Sequence, residues 1–293
     1  MMTSMQRQHI KKISFAGLGL IGTSLMLALK LAASKAGQNI ELIGYDPGFT
    51  PEEITCITGS FGLDRFEPDP AELYNADVIV LCAPVITNIA LLEEIKKHAP
   101  EGTLVTDVSS TKSTIASKAR ALGLDFLGMH PIAGREHQGF RAASPELLSE
   151  HLLIICSEQG VPDTGSAGEL LSLLDAAGCI PIVMTPEEHD RVYANISHLP
   201  QLVSTALMTH CRENIGRSGP GFGSLSRLSG SAWSIWRDII ATNNENIAGE
   251  LDLFAKSLAE MAAEVRNLNL NALESRFRDA NRLYQSLQEG NRP

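Results

Sequence analysis

The chain has 293 residues, 44% of them hydrophobic and 20% charged, which is more than one compact domain usually holds and unlike the make-up of a disordered or fibrous chain. Its 24 Lys and Arg against 34 Asp and Glu leave a formal charge of −10, which argues against a general binder of nucleic acid or anionic membrane and requires local cations for any anionic ligand. The five cysteines, Cys56, Cys82, Cys156, Cys179 and Cys211, are scattered without a C-x-x-C pair or a histidine at metal-ligand spacing, so no metal site is expected and the thiols read as reduced.

A polar leader over 1–12 precedes an uncharged apolar run over 13–29. Gly17, Gly19 and Gly22 interrupt that run at strand, turn and helix spacing, and it stops at Lys30, short of the roughly 20 residues of a membrane span. A soluble, cytoplasmic chain is expected. Apolar runs over 13–16, 41–45, 78–82, 104–106, 126–129, 152–156 and 181–184 are mostly continuous rather than alternating, as parallel strands covered on both faces require. Helix-length segments between them make a βαβ array.

After Thr185-Pro186-Glu187-Glu188 the strand signals cease, and Pro186 followed by two acids suits a helix's first turn. Helices are expected over 187–214 and 234–288, separated by a loop at 216–231 with five glycines and Pro220. The expected fold is therefore α/β plus all-α. A Rossmann-type, mostly parallel sheet with helices on both faces occupies 1–185, and a helical substrate and dimerisation domain occupies 186–293. Ile247, Leu251, Phe254, Leu258, Met261 and Val265 recur at three-to-four-residue spacing. A helical region with so few aromatics either forms a small bundle or finishes its core against a second copy, and the second alternative gives the expected homodimer.

Gly17-Leu18-Gly19-Leu20-Ile21-Gly22 leaves a strand and opens a helix, the context in which G-x-G-x-x-G reads as a dinucleotide fingerprint. Gly17 permits the turn, Gly19 lets a pyrophosphate approach, and Gly22 lets helix and strand pack. The next strand ends at Asp46, placed to accept both ribose hydroxyls and to repel a 2′-phosphate, and 47–52 holds no Arg or Lys. NAD is the expected cofactor. Ala83 and Pro84, after the strand over 78–82, lie where its second half would cross the sheet. Two further loops follow strands on the ligand side, Thr106-Asp107-Val108-Ser109-Ser110-Thr111-Lys112 and Gly128-Met129-His130-Pro131-Ile132-Ala133-Gly134. His130 is the candidate base for an alcohol proton, and Ser110 is expected to hydrogen-bond its ring or the substrate hydroxyl.

G-L-G-L-I-G, D-V-S-S-T-K, M-H-P-I-A-G, Ser197-His198-Leu199-Pro200, and Arg227 with Trp236-Arg237-Asp238-Ile239 resemble, in that order, the motifs of the prephenate/arogenate dehydrogenase family of tyrosine biosynthesis. The resemblance covers nearly the whole chain. It implies oxidative decarboxylation of prephenate or arogenate, with hydride passing to NAD and the ring becoming aromatic. It further implies that His130 accepts a hydrogen bond from the 4-hydroxyl, that Ser110 positions both, and that Arg227 holds a substrate carboxylate. His198, Gln201, Trp236 and Glu136 would line the pocket, with Asp190 orienting Arg227. Two positions depart from the pattern: Gln201 stands where the family often has a second histidine, and Ser224 where some relatives have Asp.

Gln201 leaves the choice between prephenate and arogenate open, since a neutral amide serves a keto group and an ammonium alike. Lysine-dependent β-hydroxyacid dehydrogenases share the architecture but need a lysine early in the second domain, and no lysine lies between Lys118 and Lys256. A non-enzymatic nucleotide sensor is the other alternative, and it would have no use for His130, His198 and Arg227 beside the nicotinamide.

Overall fold

The computed structural model describes residues 9–134, 139–158, 160 and 163–290. Among them eight strands, β1 (Lys12–Ala16), β2 (Glu41–Tyr45), β3 (Arg65–Phe66), β4 (Val78–Leu81), β5 (Leu104–Asp107), β6 (Asp125–Pro131), β7 (Leu152–Cys156) and β8 (Ile180–Met184), form one sheet in the order 3-2-1-4-5-6-7-8. All seven expected strands are present. β3 was not anticipated, because two residues carry no periodicity. Adjacent strands run parallel except β6 and β7. Among its described residues the segment joining that pair holds short 3-10 turns at Phe140–Ala142 and Pro145–Leu148 and no crossover helix of the kind a parallel return requires.

Helices α1 (Leu20–Lys35), α2 (Pro51–Gly59), α3 (Pro70–Leu73), α4 (Val85–His98), α5 (Ser113–Ala121) and α6 (Gly165–Ala176) cover both faces. β4 shows how: Val78 and Val80 join the core under α1, α2 and α6, while Ile79 and Leu81 join the core under α3, α4 and α5. A strand whose alternate side chains all meet helices must be apolar throughout, which explains its continuous sequence signal.

Beyond β8 the chain is helical, but less simply than expected. α7 (Pro186–Tyr193) enters a π-helical turn at Ala194–His198 before α8 (Leu199–His210). Pro200, near the start of α8, lacks the N–H that a continuous α-helix would use there. The glycine-rich stretch expected to be a loop holds α9 (Pro220–Ser226) and a 3-10 turn over Arg227–Gly230. α10 (Trp233–Arg266) has one non-helical residue, Asn243, at φ −142° and ψ 29°. The expected helix over 234–288 is also broken after Arg266, where Leu268 takes φ 51° and Asn269 Oδ1 accepts from Ala272 N before α11 (Leu270–Gly290). Of the apolar stripe on α10, Ile247 is buried, whereas Leu258, Met261 and Val265 are exposed, as are Phe277, Leu283 and Leu287 on α11. No described helix is long and apolar enough to cross a membrane.

Candidate active site

β1 and β4 are neighbours at the point where the strand order reverses, the crevice in which open α/β sheets take their ligands. Gly17 sits there at φ +103°, and a Cβ on it would lie 2.8 Å from both Ala83 N and Cys82 C. A Cβ on Gly22 would lie 2.6 Å from Gly17 O and 2.8 Å from Cys82 Cβ. The chain's own packing therefore demands both glycines. Gly19 differs, for a Cβ there would meet nothing within 4 Å, and its φ of −73° suits any residue. Its bareness leaves room for an outside group at the N-terminus of α1, where the first amides have no partner within the helix.

Leu18 is fully buried against Gly44 of β2, while Leu20 and Ile21 are half-buried in the first turn of α1. Asp46, just past β2, accepts Leu18 N at 3.0 Å through one oxygen and Gly48 N at 2.9 Å through the other. It thereby shapes the glycine turn while keeping lone pairs for ribose hydroxyls. Ala83 is half-buried and Pro84 exposed. Ala83 N donates to Asn88 Oδ1 at 3.1 Å, and Asn88 Nδ2 donates to Ser109 Oγ at 3.0 Å. This buried Asn88, which no motif signalled, ties together the loops after β4 and β5. These residues fit a dinucleotide: open space at a helix N-terminus, an acid at the ribose position, and small residues along the sheet edge.

His130 is not on a loop, as expected, but is the penultimate residue of β6, paired with Ile154 of β7. Its Nδ1 lies 2.8 Å from His189 Nε2, and His189 Nδ1 lies 2.8 Å from Asp190 Oδ1. Asp190 also accepts from Lys112 N at 2.7 Å and Ser113 N at 2.9 Å. Tyr193, one turn along α7, stacks on His189 with ring centroids 4.5 Å apart. Beneath the cluster, Lys112 Nζ meets Asp107 Oδ2 at 2.6 Å, both side chains fully buried. Burial, with the neighbouring His189, Lys112 and His198, holds the His130 pKa well below the ordinary imidazole value. Burial also lowers that of His189, against the pull of Asp190. Burial pushes Asp190 up, but hydrogen bonds from His189, Ser113 and Lys112 outweigh it and leave the carboxyl below its usual range.

Two expectations are corrected here. The His130 ring is held by His189 and not by Ser110, whose half-buried hydroxyl has no hydrogen-bond partner among the described residues. Asp190 does not orient Arg227: both its oxygens are engaged by His189 and the start of α5. His189, Lys112 and Asp107 were missed as a group, although His189-Asp190 and the final Lys of D-V-S-S-T-K stand in the sequence.

His198 lies in the π-helical turn, buried, with its ring edge against half-buried Trp236 at 5.8 Å. Burial lowers its pKa to about 4. Its Nδ1 is 3.3 Å from Asn243 Nδ2, which also donates to Asp190 O at 2.8 Å. The non-helical residue of α10 is thus the one that reaches both. Gln201 spends its amide inside the protein, donating to Leu228 O at 2.7 Å and accepting from Ser231 Oγ at 3.1 Å, so it tethers the turn that begins at Arg227. Arg227 is exposed and makes no ion pair with a described residue. Glu136 lies outside the described residues. Among those described, no group of three His, Cys, Asp or Glu is placed to hold a metal.

Residues 28–178 match the nucleotide-binding domain of prephenate dehydrogenase and residues 185–280 match its dimerization domain. The chain is 30% identical to a prephenate dehydrogenase of Bacillus subtilis, across 92% of this chain and 74% of that one. Its fold is similar to that of prephenate dehydrogenase from A. aeolicus, solved with hydroxyphenyl propionate and NAD+, with a TM-score of 0.83 at 23% identity over 95% of this chain and 99% of that one. It is likewise similar to Synechocystis arogenate dehydrogenase, with a TM-score of 0.81 at 27% identity over 94% and 99%. With a dinucleotide crevice, a buried histidine cluster beside it and both domains matched, the chain belongs to the prephenate dehydrogenase family and is an NAD-dependent oxidoreductase.

Proposed function

We propose that the chain converts prephenate to 4-hydroxyphenylpyruvate in tyrosine biosynthesis. The observation that carries this reading is His130, a neutral imidazole on a rigid strand end whose Nδ1 is tied to His189 and whose Nε2 has no protein partner among the described residues. A bare ring nitrogen accepts a hydrogen bond from the 4-hydroxyl and draws its proton away as hydride leaves C4. NAD, when bound, takes up that hydride. The ring carboxylate departs as CO2, the electrons of the broken C–C bond complete the aromatic ring, and the proton returns to the phenolic oxygen. Aromatisation favours the products, so the chain's task is orientation and charge placement.

In this reading Gly17 to Gly22, Asp46, Ala83 and Pro84 hold the nucleotide, Ser110 positions the hydroxyl, and Arg227 offers a fork to a carboxylate. His198, Trp236 and Gln201 shape the substrate side, and Glu136 closes the pocket. The division of labour falls near residue 185, with nucleotide binding before it and substrate closure and dimerisation after it. A homodimer through the helical part is supported by the apolar side chains left exposed on α10 and α11 and by the match to a dimerization domain. Arogenate is the second reading, favoured by neutral Gln201, which gives no charge to select a keto acid over an amino acid.

The test is NADH formation by the purified protein with NAD and each substrate in turn. Turnover is expected with prephenate at the higher kcat/KM. His130→Asn should bind NAD normally but lose about 10²-fold or more in kcat, while Arg227→Ala should chiefly raise KM. No turnover with either substrate, or full activity in His130→Asn, overturns the reading.

A further inference from the structure

His189 and Asp190 adjoin neither the glycine turn nor the solvent, yet they form an unbroken line behind His130. We propose that they are positioning residues that fix His130 as the Nδ1–H tautomer, leaving Nε2 bare for the substrate hydroxyl, and that they hold the positive charge His130 gains when the hydroxyl proton moves onto it. This rests on the acceptor role proposed above for His130.

The argument follows the donors and acceptors along the line. Asp190 already accepts from two backbone amides, Lys112 N and Ser113 N, and an ionised carboxylate has nothing to donate. His189 Nδ1, 2.8 Å from Oδ1, must therefore carry the hydrogen. A neutral His189 then has a bare Nε2, which faces His130 Nδ1 at 2.8 Å. Two bare nitrogens at that distance repel, so the hydrogen sits on His130 Nδ1, and Nε2 is left as a lone pair. The opposite arrangement would aim a bare His189 Nδ1 at the Asp190 carboxylate, lone pair against lone pair.

Burial supports the same assignment, since both rings resist protonation in the resting state. Among the described residues, the groups around His130 offer no rival countercharge. Lys112 is a cation already matched by Asp107, while His198 and Tyr193 are uncharged. When His130 becomes an imidazolium, the one negative charge among the described residues in line with it is Asp190, relayed through His189. Asp190 is itself fixed by the two amides that open α5, so the line has a rigid end.

Nitrogen-15 NMR of histidine-labelled protein at neutral pH reads the tautomer directly, with His130→Asn assigning the signals. The expected result is a protonated Nδ1 and a bare Nε2 on His130. His189→Phe keeps a ring on Tyr193 but removes both nitrogens. It should lower kcat by about 10²-fold, with KM and the Kd for NAD within about twofold. His189→Gln, whose amide accepts at one end and donates at the other, should recover most of that loss. If His189→Phe fails to fold, the wild-type spectrum and His189→Gln carry the test. An Nε2–H tautomer on His130, or wild-type kcat in His189→Phe, overturns the proposal even where His130→Asn is inactive and the acceptor role stands. Full activity in His130→Asn overturns the acceptor role and this proposal with it.

Discussion

Replacing Lys112 with Met leaves the Asp107 carboxylate buried without its cation. Both side chains are fully excluded from solvent, with Nζ 2.6 Å from Oδ2. Among the described residues the only other donor to that carboxylate is Ser109 N at 3.0 Å, and Oδ1 has no partner. Met preserves most of the stem that passes over Gly128, where a Cβ would lie 3.1 Å from Lys112 Cδ, so little packing is lost. Removing one partner of a buried ion pair costs about 3–5 kcal/mol, a large part of the roughly 5–15 kcal/mol that holds a folded domain together. Urea unfolding followed by circular dichroism should therefore show a lower midpoint at unchanged slope. Lys112→Met with Asp107→Asn should recover most of the loss, because the amide carries no charge and still accepts from Ser109 N. A single variant within about 1 kcal/mol of wild type, or a double variant no better than the single, would refute this reasoning.

The glycine turn gives a paired expectation. Gly19→Ala should leave stability within about 0.5 kcal/mol but weaken NAD binding at least about tenfold, whereas Gly22→Ala should destabilise by about 1–3 kcal/mol because its Cβ would press on Gly17 O and Cys82. Calorimetric titration with NAD beside denaturation curves separates the two, and equal effects at both positions would count against the assigned roles. Acid should also weaken the fold before the carboxylates titrate. Below 6.5 the unfolded chain takes up a proton on the histidine that folded His198 refuses until about pH 4. Stability on this account is full above 6.5 and falls as pH drops toward 4, by up to about 3 kcal/mol for this residue. Unfolding midpoints that stay flat over that range would exclude it.

What the sequence disclosed tracks how local each signal is. β4 and its fellows were legible because a strand covered on both faces must be apolar at every position. The glycine turn was legible because its three glycines fall within six residues between a strand and a helix, although the contacts that require Gly17 and Gly22 reach Cys82 and Ala83 far along the chain. The histidine line was not legible: Asp190 meets Lys112 and Ser113 across 78 and 77 positions of chain, and no periodicity records such a meeting. Resemblance suggested Arg227 as the partner of Asp190, whose oxygens are taken up by His189 and the start of α5. The break at Asn243 was hidden for a different reason, since an asparagine inside an amphipathic run reads as an exposed polar position until its amide is seen reaching Asp190 O and His198. Gln201 was expected to read the substrate, and its two ends turned out to be satisfied within the fold.

Asp190 and His189 follow β8 in the chain, on the first helix of the helical part, yet Asp190 is bonded to the amides that open α5 beside the sheet. The consequence is mechanical. Asp190, the fifth residue of α7, is pinned to the start of α5 by those two hydrogen bonds, so the His189 ring beside it keeps its place against His130 on β6 if the later helices swing. The support behind the imidazole is thereby separated from any movement that admits or releases a small molecule.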